Sequence, residues 1–249
     1  MFLTERTGAS KLAVAMNVLT GLFGSSLGKK YIMAITGLAM FGFVVVHMVG
    51  NLQVFLGPEF INDYGYFLQS KPELVWPARI VLSAMVVLHI WAAIKLSAEN
   101  RAARPKGYGT YQIVAASYAS RTMLVSGIVL LAFIIYHLLH FTVQIPGINF
   151  TNADFRVLED AKGRHDVFTM MILGFRQPIV SGFYIIAMTL LSLHLSHGVS
   201  AMFQSLGWKK KSYANALNGF ATAISIFIFV GYISIPIAIL LGFGKEVLK

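Results

Sequence analysis

Cysteine is absent from all 249 residues. That excludes disulfides, protein-held iron–sulfur clusters, thiolate ligation of haem and covalent haem attachment, so any redox centre must be held by His, Met, Tyr or carboxylate. Charge is also scarce, at 12% of residues, about half the soluble norm. Acid is scarcer still: Asp and Glu number 10 against 20 Lys and Arg, for a net charge of +10. With 57% hydrophobic residues and a mean hydropathy of +0.70, this is an integral membrane protein, read as a single membrane domain over 1–249. The excess base sits in short segments beside apolar runs, which is a topology signal rather than a nucleic-acid footprint. No repeat of 20–50 residues is visible.

Five apolar stretches approach or exceed the roughly 20 residues a span needs: approximately 31–56, 77–98, 122–145, 177–203 and 216–242. None contains Asp or Glu. The fold class is therefore an all-α integral membrane bundle of five transmembrane helices. Residues 1–28 form an N-terminal interfacial segment. Their apolar part ends in small residues like a signal peptide, but Glu5 and the Lys29–Lys30 pair favour a retained helix on the membrane surface. Basic residues dominate before the first span, between the second and third, and at Lys209–Lys210–Lys211. Acid slightly exceeds base between the first and second spans, and the charges balance between the third and fourth. The positive-inside rule then puts the N-terminus in the cytoplasm and the C-terminus outside. The outer segments 57–76 and 146–176 are rich in turn residues, and the second is expected to hold a short surface helix. Outer segments of this length can cap a site.

Histidine stands out against this background. His47, His89, His137 and His197 lie in four different spans, with His140 and His194 three residues from two of them. An imidazole in hydrocarbon is costly and marks function by default. At a rise of about 1.5 Å per residue, His47 lies roughly 25 Å beyond Lys30 and His137 roughly 24 Å beyond Arg121, while His89 and His197 lie roughly 18 Å before Arg101 and Lys209. Spans one and three thus offer an outer pair, and spans two and four an inner pair. Two bis-histidine haems stacked along the bundle fit that arrangement. His140 and His194 share a face with their neighbours, about 60° away. Depth favours His137 and His197 as ligands and leaves the spare pair to bridge helices or to donate to propionates or quinone. Gly50 and Gly198 are places where a flat macrocycle can approach a helix. His165 reads as a surface residue of the outer loop. A proton-relay transporter is disfavoured, because such sites recruit intramembrane acids.

The segment around His47 (SSLGKKYIMAITGLAMFGFVVVHMVGNLQVFLGPEFINDYG) resembles the di-haem cytochrome b membrane subunit of succinate dehydrogenase and fumarate reductase. So do LHIWAAIKLSAENRAARP around His89, ASRTMLVSGIVLLAFIIYHLLHFT around His137 and LHLSHGVSAMFQSLGW around His197. The resemblance covers approximately 25–242 and is to the single-subunit, five-helix type. It implies two haem b cofactors, the outer held by His47 and His137 and the inner by His89 and His197. The implied acceptor is a quinone, usually menaquinone. The implied partners are a flavoprotein subunit and an iron–sulfur subunit on the cytoplasmic face of a bacterial inner membrane, in a complex that can form a higher oligomer.

Lys29, Lys30, Arg79, Arg121 and Arg176 at span ends are candidates for propionate contacts, with membrane anchoring the competing role. Glu59 and Asp63 are candidate quinone-site acids, and Tyr64 and Tyr66 weaker ones. Some fumarate reductases of this type carry a glutamate where this chain has Leu195, so that proton path is not expected here. Two alternatives stay open: a di-haem subunit of a hydrogenase or formate dehydrogenase, and a non-redox histidine-lined anchor or transporter.

Overall fold

The computed structural model describes residues 3–103 and 118–248. The basic residues Arg104 and Lys106 lie outside the described residues. All the long elements described are helices: α1 (Leu3–Gly24), α2 (Ser26–Leu52), α3 (Pro58–Gln69), α4 (Pro72–Ala102), α5 (Tyr118–His137), α6 (Val167–Phe175), α7 (Pro178–Ser205) and α8 (Ala214–Leu240). A π-helical turn, Leu138–Thr142, extends α5. Five stretches among the described residues are long and apolar enough to cross a membrane: Ser26–Leu56, Pro72–Ala102, Thr122–Thr142, Pro178–Ser205 and Lys211–Leu240.

Side-chain contacts show how these helices run. Lys29 and Thr36 of α2 meet Glu99 and His89 of α4, so the two are antiparallel. Ser126 and His137 of α5 meet His194 and Tyr184 of α7, again antiparallel. Ser192 of α7 reaches the Ser225 carbonyl of α8, and Ser200 reaches Asn218. Tyr232 of α8 donates to the Val44 carbonyl, which makes α8 parallel to α2. Below, the basal end is where α2 begins and the apical end is where it finishes. The described chain enters at the basal end and leaves at the apical end.

The bundle is apolar on its outside. Val46, Ile80, Val87, Ile128, Ile179 and Ile186 are all at least 60% exposed. Such a belt is unstable in water and stable against lipid tails. Inside are two clusters. The apical one gathers Val54, Ile61, Phe133, Phe168, Ile172, Phe175 and Tyr184. The basal one gathers Ala34, Met48, Leu195, Val199, Met202, Ala221 and Ile228.

Two expectations are corrected at the apical end. The segment 57–76 is largely helical. Pro58 and Pro72 stand at first helical positions, where a missing N–H costs nothing, and Glu59 and Glu73 favour the helix N-termini. The second span therefore begins at Pro72 and runs through Pro77. Secondly, α6 is not a surface helix: Phe168, Met170, Met171, Ile172 and Phe175 are buried. Six large apolar residues in nine leave no polar face to present to water.

A polar latch joins α3 to the loop before α6. Arg164 pairs with Glu59, Asp63 and Asp160, and Lys162 pairs with Glu59. Buried Asn62 accepts from the Phe168 backbone N–H and donates to Asp160 and Asp166. Lys162 and then Arg164 hold the Glu59 carboxyl below its usual range, and Arg164 does the same to Asp160. Depressed carboxylate values mean stability that is complete above about pH 4 and lost as pH falls through the folded values. Amide exchange in 57–71 and 159–166, corrected for intrinsic rate, should stay flat from about pH 8 to 5 and accelerate below about pH 4. Arg164→Ala should show the accelerated pattern already at neutral pH. Exchange unaffected by either change would show that the latch holds nothing.

Candidate functional site

The basal layer of the bundle core contains His89 of α4 and His194 of α7, with ring centroids 6.4 Å apart. Each ring is oriented by a hydroxyl on a neighbouring helix. Thr36 Oγ1 lies 3.1 Å from His89 Nδ1, and Ser126 Oγ lies 3.2 Å from His194 Nδ1. Each hydroxyl also lies within hydrogen-bond distance of a carbonyl of its own helix, Thr36 of Ile32 at 2.7 Å and Ser126 of Met123 at 3.0 Å. A hydroxyl that gives its one hydrogen to that carbonyl accepts from the imidazole, and an imidazole with its hydrogen at Nδ1 presents a lone pair at Nε2.

The apical layer lies 11 residues further along both α2 (Thr36 to His47) and α5 (Ser126 to His137). At the α-helical rise that is about 16 Å. Here the His47 and His137 rings are 5.7 Å apart and nearly perpendicular. Phe43 stacks on His47, and Phe133 on His137. His47 Nε2 is 3.2 Å from the Asn51 side-chain amide, which also donates to the His47 carbonyl. His137 Nδ1 is 3.2 Å from the Tyr184 hydroxyl. His140, fully buried in the π turn, reaches the same hydroxyl.

Two imidazoles that shared one iron through bonds of about 2 Å would have centroids roughly 6 Å apart. The observed 5.7 and 6.4 Å bracket that spacing. Among the described residues no group of three or more His, Cys, Asp or Glu can hold a metal ion. Paired imidazoles suit an ion whose other ligands come from a macrocycle. Room is also present. While α4 packs on α2 and α5 packs on α7, a cleft of about 490 Å³ opens between α4 and α5, lined by Ile94, Ser97, Ala98, Arg101, Leu124 and Ile128. Its α4 lining lies on the basal side of His89, and the Arg101 guanidinium there is suited to a carboxylate.

The other candidates are distributed as follows. His197 lies one turn basal of His194, half-buried and within electrostatic reach of Lys209, and the ring that meets His89 is that of His194. A Cβ at Gly198 would meet nothing. Gly50 admits the Tyr64 ring, whose atoms would come within 2.8 Å of a Cβ there, so its space is already taken. The glycines beside the basal imidazoles are instead Gly37 and Gly127, in van der Waals contact with His89 and His194. Lys29 is buried and spent on Glu99 at 2.5 Å and on the Gly24 carbonyl. Lys30 is exposed. Arg79 lies over the Trp76 ring. The Arg121 side chain lies outside the described residues. Arg176 lines an apical cleft of about 320 Å³ with Phe150, Thr151, Asn152, Leu173 and Gln177. The Glu59 and Asp63 carboxylates are taken up by Arg164 and Lys162, and Tyr66 is exposed. His165 is half-buried, 3.0 Å from the Gln144 side chain, rather than a free surface residue.

Sequence reading missed Thr36, Ser126, Tyr184 and Arg101. A signal existed for the first two: each is a hydroxyl residue in a span that has no histidine of its own at basal depth. No family model, curated protein or solved structure matches the chain.

Outer-shell partners of metal-bound histidine typically govern affinity by about 10–100-fold. If the basal pair holds a haem, Thr36→Val and Ser126→Ala should each weaken its retention by about that factor. The check is the haem-to-protein ratio after dilution in detergent. Thr189→Val, at an exposed α7 hydroxyl that serves only the Ile185 carbonyl, is the control and should change nothing. Equal retention in all three variants would remove the hydroxyls from the site.

Proposed function

We propose that this chain is the membrane-anchor and electron-transfer subunit of a succinate:quinone oxidoreductase, linking an iron–sulfur partner subunit to a quinone by way of two b-type haems. The observation that carries the reading is the basal pair, His89 and His194, rings 6.4 Å apart and each with Nδ1 within hydrogen-bond distance of a hydroxyl on a neighbouring helix. Bis-histidine haem supplies reversible one-electron chemistry without needing an open coordination position. The chain's own residues supply ligands, spacing and a dry surround. His47 and His137 hold the apical group, His89 and His194 the basal one. The turn between His194 and His197 exchanges the basal ligand expected from the sequence for its neighbour.

The layers are about 16 Å apart along the helices. The basic residues assign the basal end to the cytoplasm. There the flavoprotein and iron–sulfur subunits would dock, beside exposed Lys210 and Lys211. The quinone head group, of the menaquinone type by resemblance, suits the apical cleft, where Asn152, Arg176 and Gln177 supply donors over Leu173 and Phe150. Glu59 and Asp63 suit it less, since their carboxylates already serve the latch. The setting is a bacterial cytoplasmic membrane crossed five times.

The test is the complex purified from its own membranes. Its reduced-minus-oxidised spectrum should show two b haems per chain, with flavoprotein and iron–sulfur subunits co-purifying. His89→Ala and His194→Ala should each remove one haem and abolish quinone reduction, while dye-linked succinate oxidation persists. His197→Ala should keep both haems. A colourless complex would end the haem reading, and co-purification of a hydrogenase or formate dehydrogenase would reassign the partners. Two haems surviving in His194→Ala but not in His197→Ala would return the basal ligand to His197.

A further inference from the structure

The Tyr184 hydroxyl stands between two imidazoles, 3.2 Å from His137 Nδ1 and 3.1 Å from His140 Nδ1. It carries one hydrogen, and a hydroxyl that accepted from both rings would leave that buried hydrogen with no acceptor. Two polarities satisfy it. In one, His140 Nδ1–H donates to Tyr184, Tyr184 donates to His137 Nδ1, and the hydrogen of His137 is forced onto Nε2. In the other, His137 Nδ1–H donates to Tyr184, Tyr184 donates to His140 Nδ1, and His137 keeps a lone pair at Nε2. Only the second makes His137 a ligand.

We propose that Tyr184 and His140 are a positioning pair for His137. His140 is the acceptor that orients the Tyr184 hydroxyl, and Tyr184 in turn fixes the tautomer and basicity of His137. The proposal rests on the haem reading above and extends it to two residues that bind no iron.

The surroundings support this division of labour. The ring that meets His47 is that of His137. His140 packs at a tilt against Phe141, centroids 3.9 Å apart, and against Phe155 at 5.7 Å. A Cβ at Gly174 would come within 3.2 Å of its Nε2, so nothing as thick as a macrocycle fits on that side. That Nε2 is buried with no hydrogen-bond partner. Keeping an orphaned polar atom in a core is costly. It is intelligible when the other nitrogen of the ring has work that an apolar side chain lacks the lone pair to do. Tyr184 itself is clamped edge-on by Phe133 and Phe175, at 5.0 and 4.9 Å, so its hydroxyl stays in place. The π turn begins immediately after His137 and carries His140, which lets both Nδ1 atoms meet one oxygen. Such turns recur at functional sites.

The experiment is redox titration and low-spin electron paramagnetic resonance of the purified complex, wild type against Tyr184→Phe, His140→Phe, His140→Gln and the double Tyr184→Phe/His140→Phe. Loss of the hydrogen bond makes His137 less basic and stabilises the ferric state less. Tyr184→Phe should therefore raise the midpoint potential of the apical haem alone, shift its resonance, and loosen its retention by about 10–100-fold. His140→Phe should shift the same haem in the same direction. The double variant should go no further than Tyr184→Phe, because the two act in series. His140→Gln, whose side-chain oxygen accepts from Tyr184, should restore the wild-type potential. Unmoved potentials in Tyr184→Phe, or additive shifts in the double variant, would overturn the proposal. Should Tyr184→Phe fail to assemble, identical potentials in His140→Phe and His140→Gln would overturn it alone. A wild-type complex without haem would instead defeat the underlying reading.

Discussion

A polar nitrogen inside a lipid-embedded bundle has no water to fall back on, and each one must find a partner on another helix or bear the cost of having none. The histidines of this chain impose that constraint at two depths, and the bundle is arranged around meeting it. Thr36 and Ser126 do so in the basal layer by meeting His89 and His194 from neighbouring helices. Tyr184 does so in the apical layer by serving two rings at once.

The ends of the bundle are tied by charge, which is affordable only where water or headgroups begin. At the basal end Lys29 draws the start of α2, the end of α4 and the Gly24 carbonyl of α1 to one point. At the apical end Arg164 gathers three carboxylates, two from α3 and one from the loop before α6. Between these two tethers the spans contain no acid at all. The apolar exterior is left for lipid, and the polar interior is confined to histidines and hydroxyls.

The five spans, their limits to within several residues, and the separation of the histidines into two depths could be read from the chain alone. Apolar runs and helical rise are local properties, carried by consecutive residues. The His47–His137 neighbourhood followed from the same arithmetic. The choice between His194 and His197 did not. Both lie on one face of α7 within a turn, and depth measured from a lysine anchor does not resolve one turn. The tertiary structure brings Ser126 to His194, through a contact across 68 residues, and puts the His194 ring beside His89. The helical character of 58–69 was obscured by Pro58 and Gly65 and by the flanking Gly57 and Pro72. The burial of α6 depended on what lay above it.

What the sequence determined by itself is therefore the class of molecule: a cysteine-free, five-span helical membrane protein with imidazoles at two levels. Composition and periodicity act along the chain and need no partner. Which ring faces which, which hydroxyl sets each tautomer, and which cations are already consumed by acids were decided only in the tertiary structure. Those are properties of side chains meeting from different helices, and nothing local in the chain encodes the rotation of one helix against another.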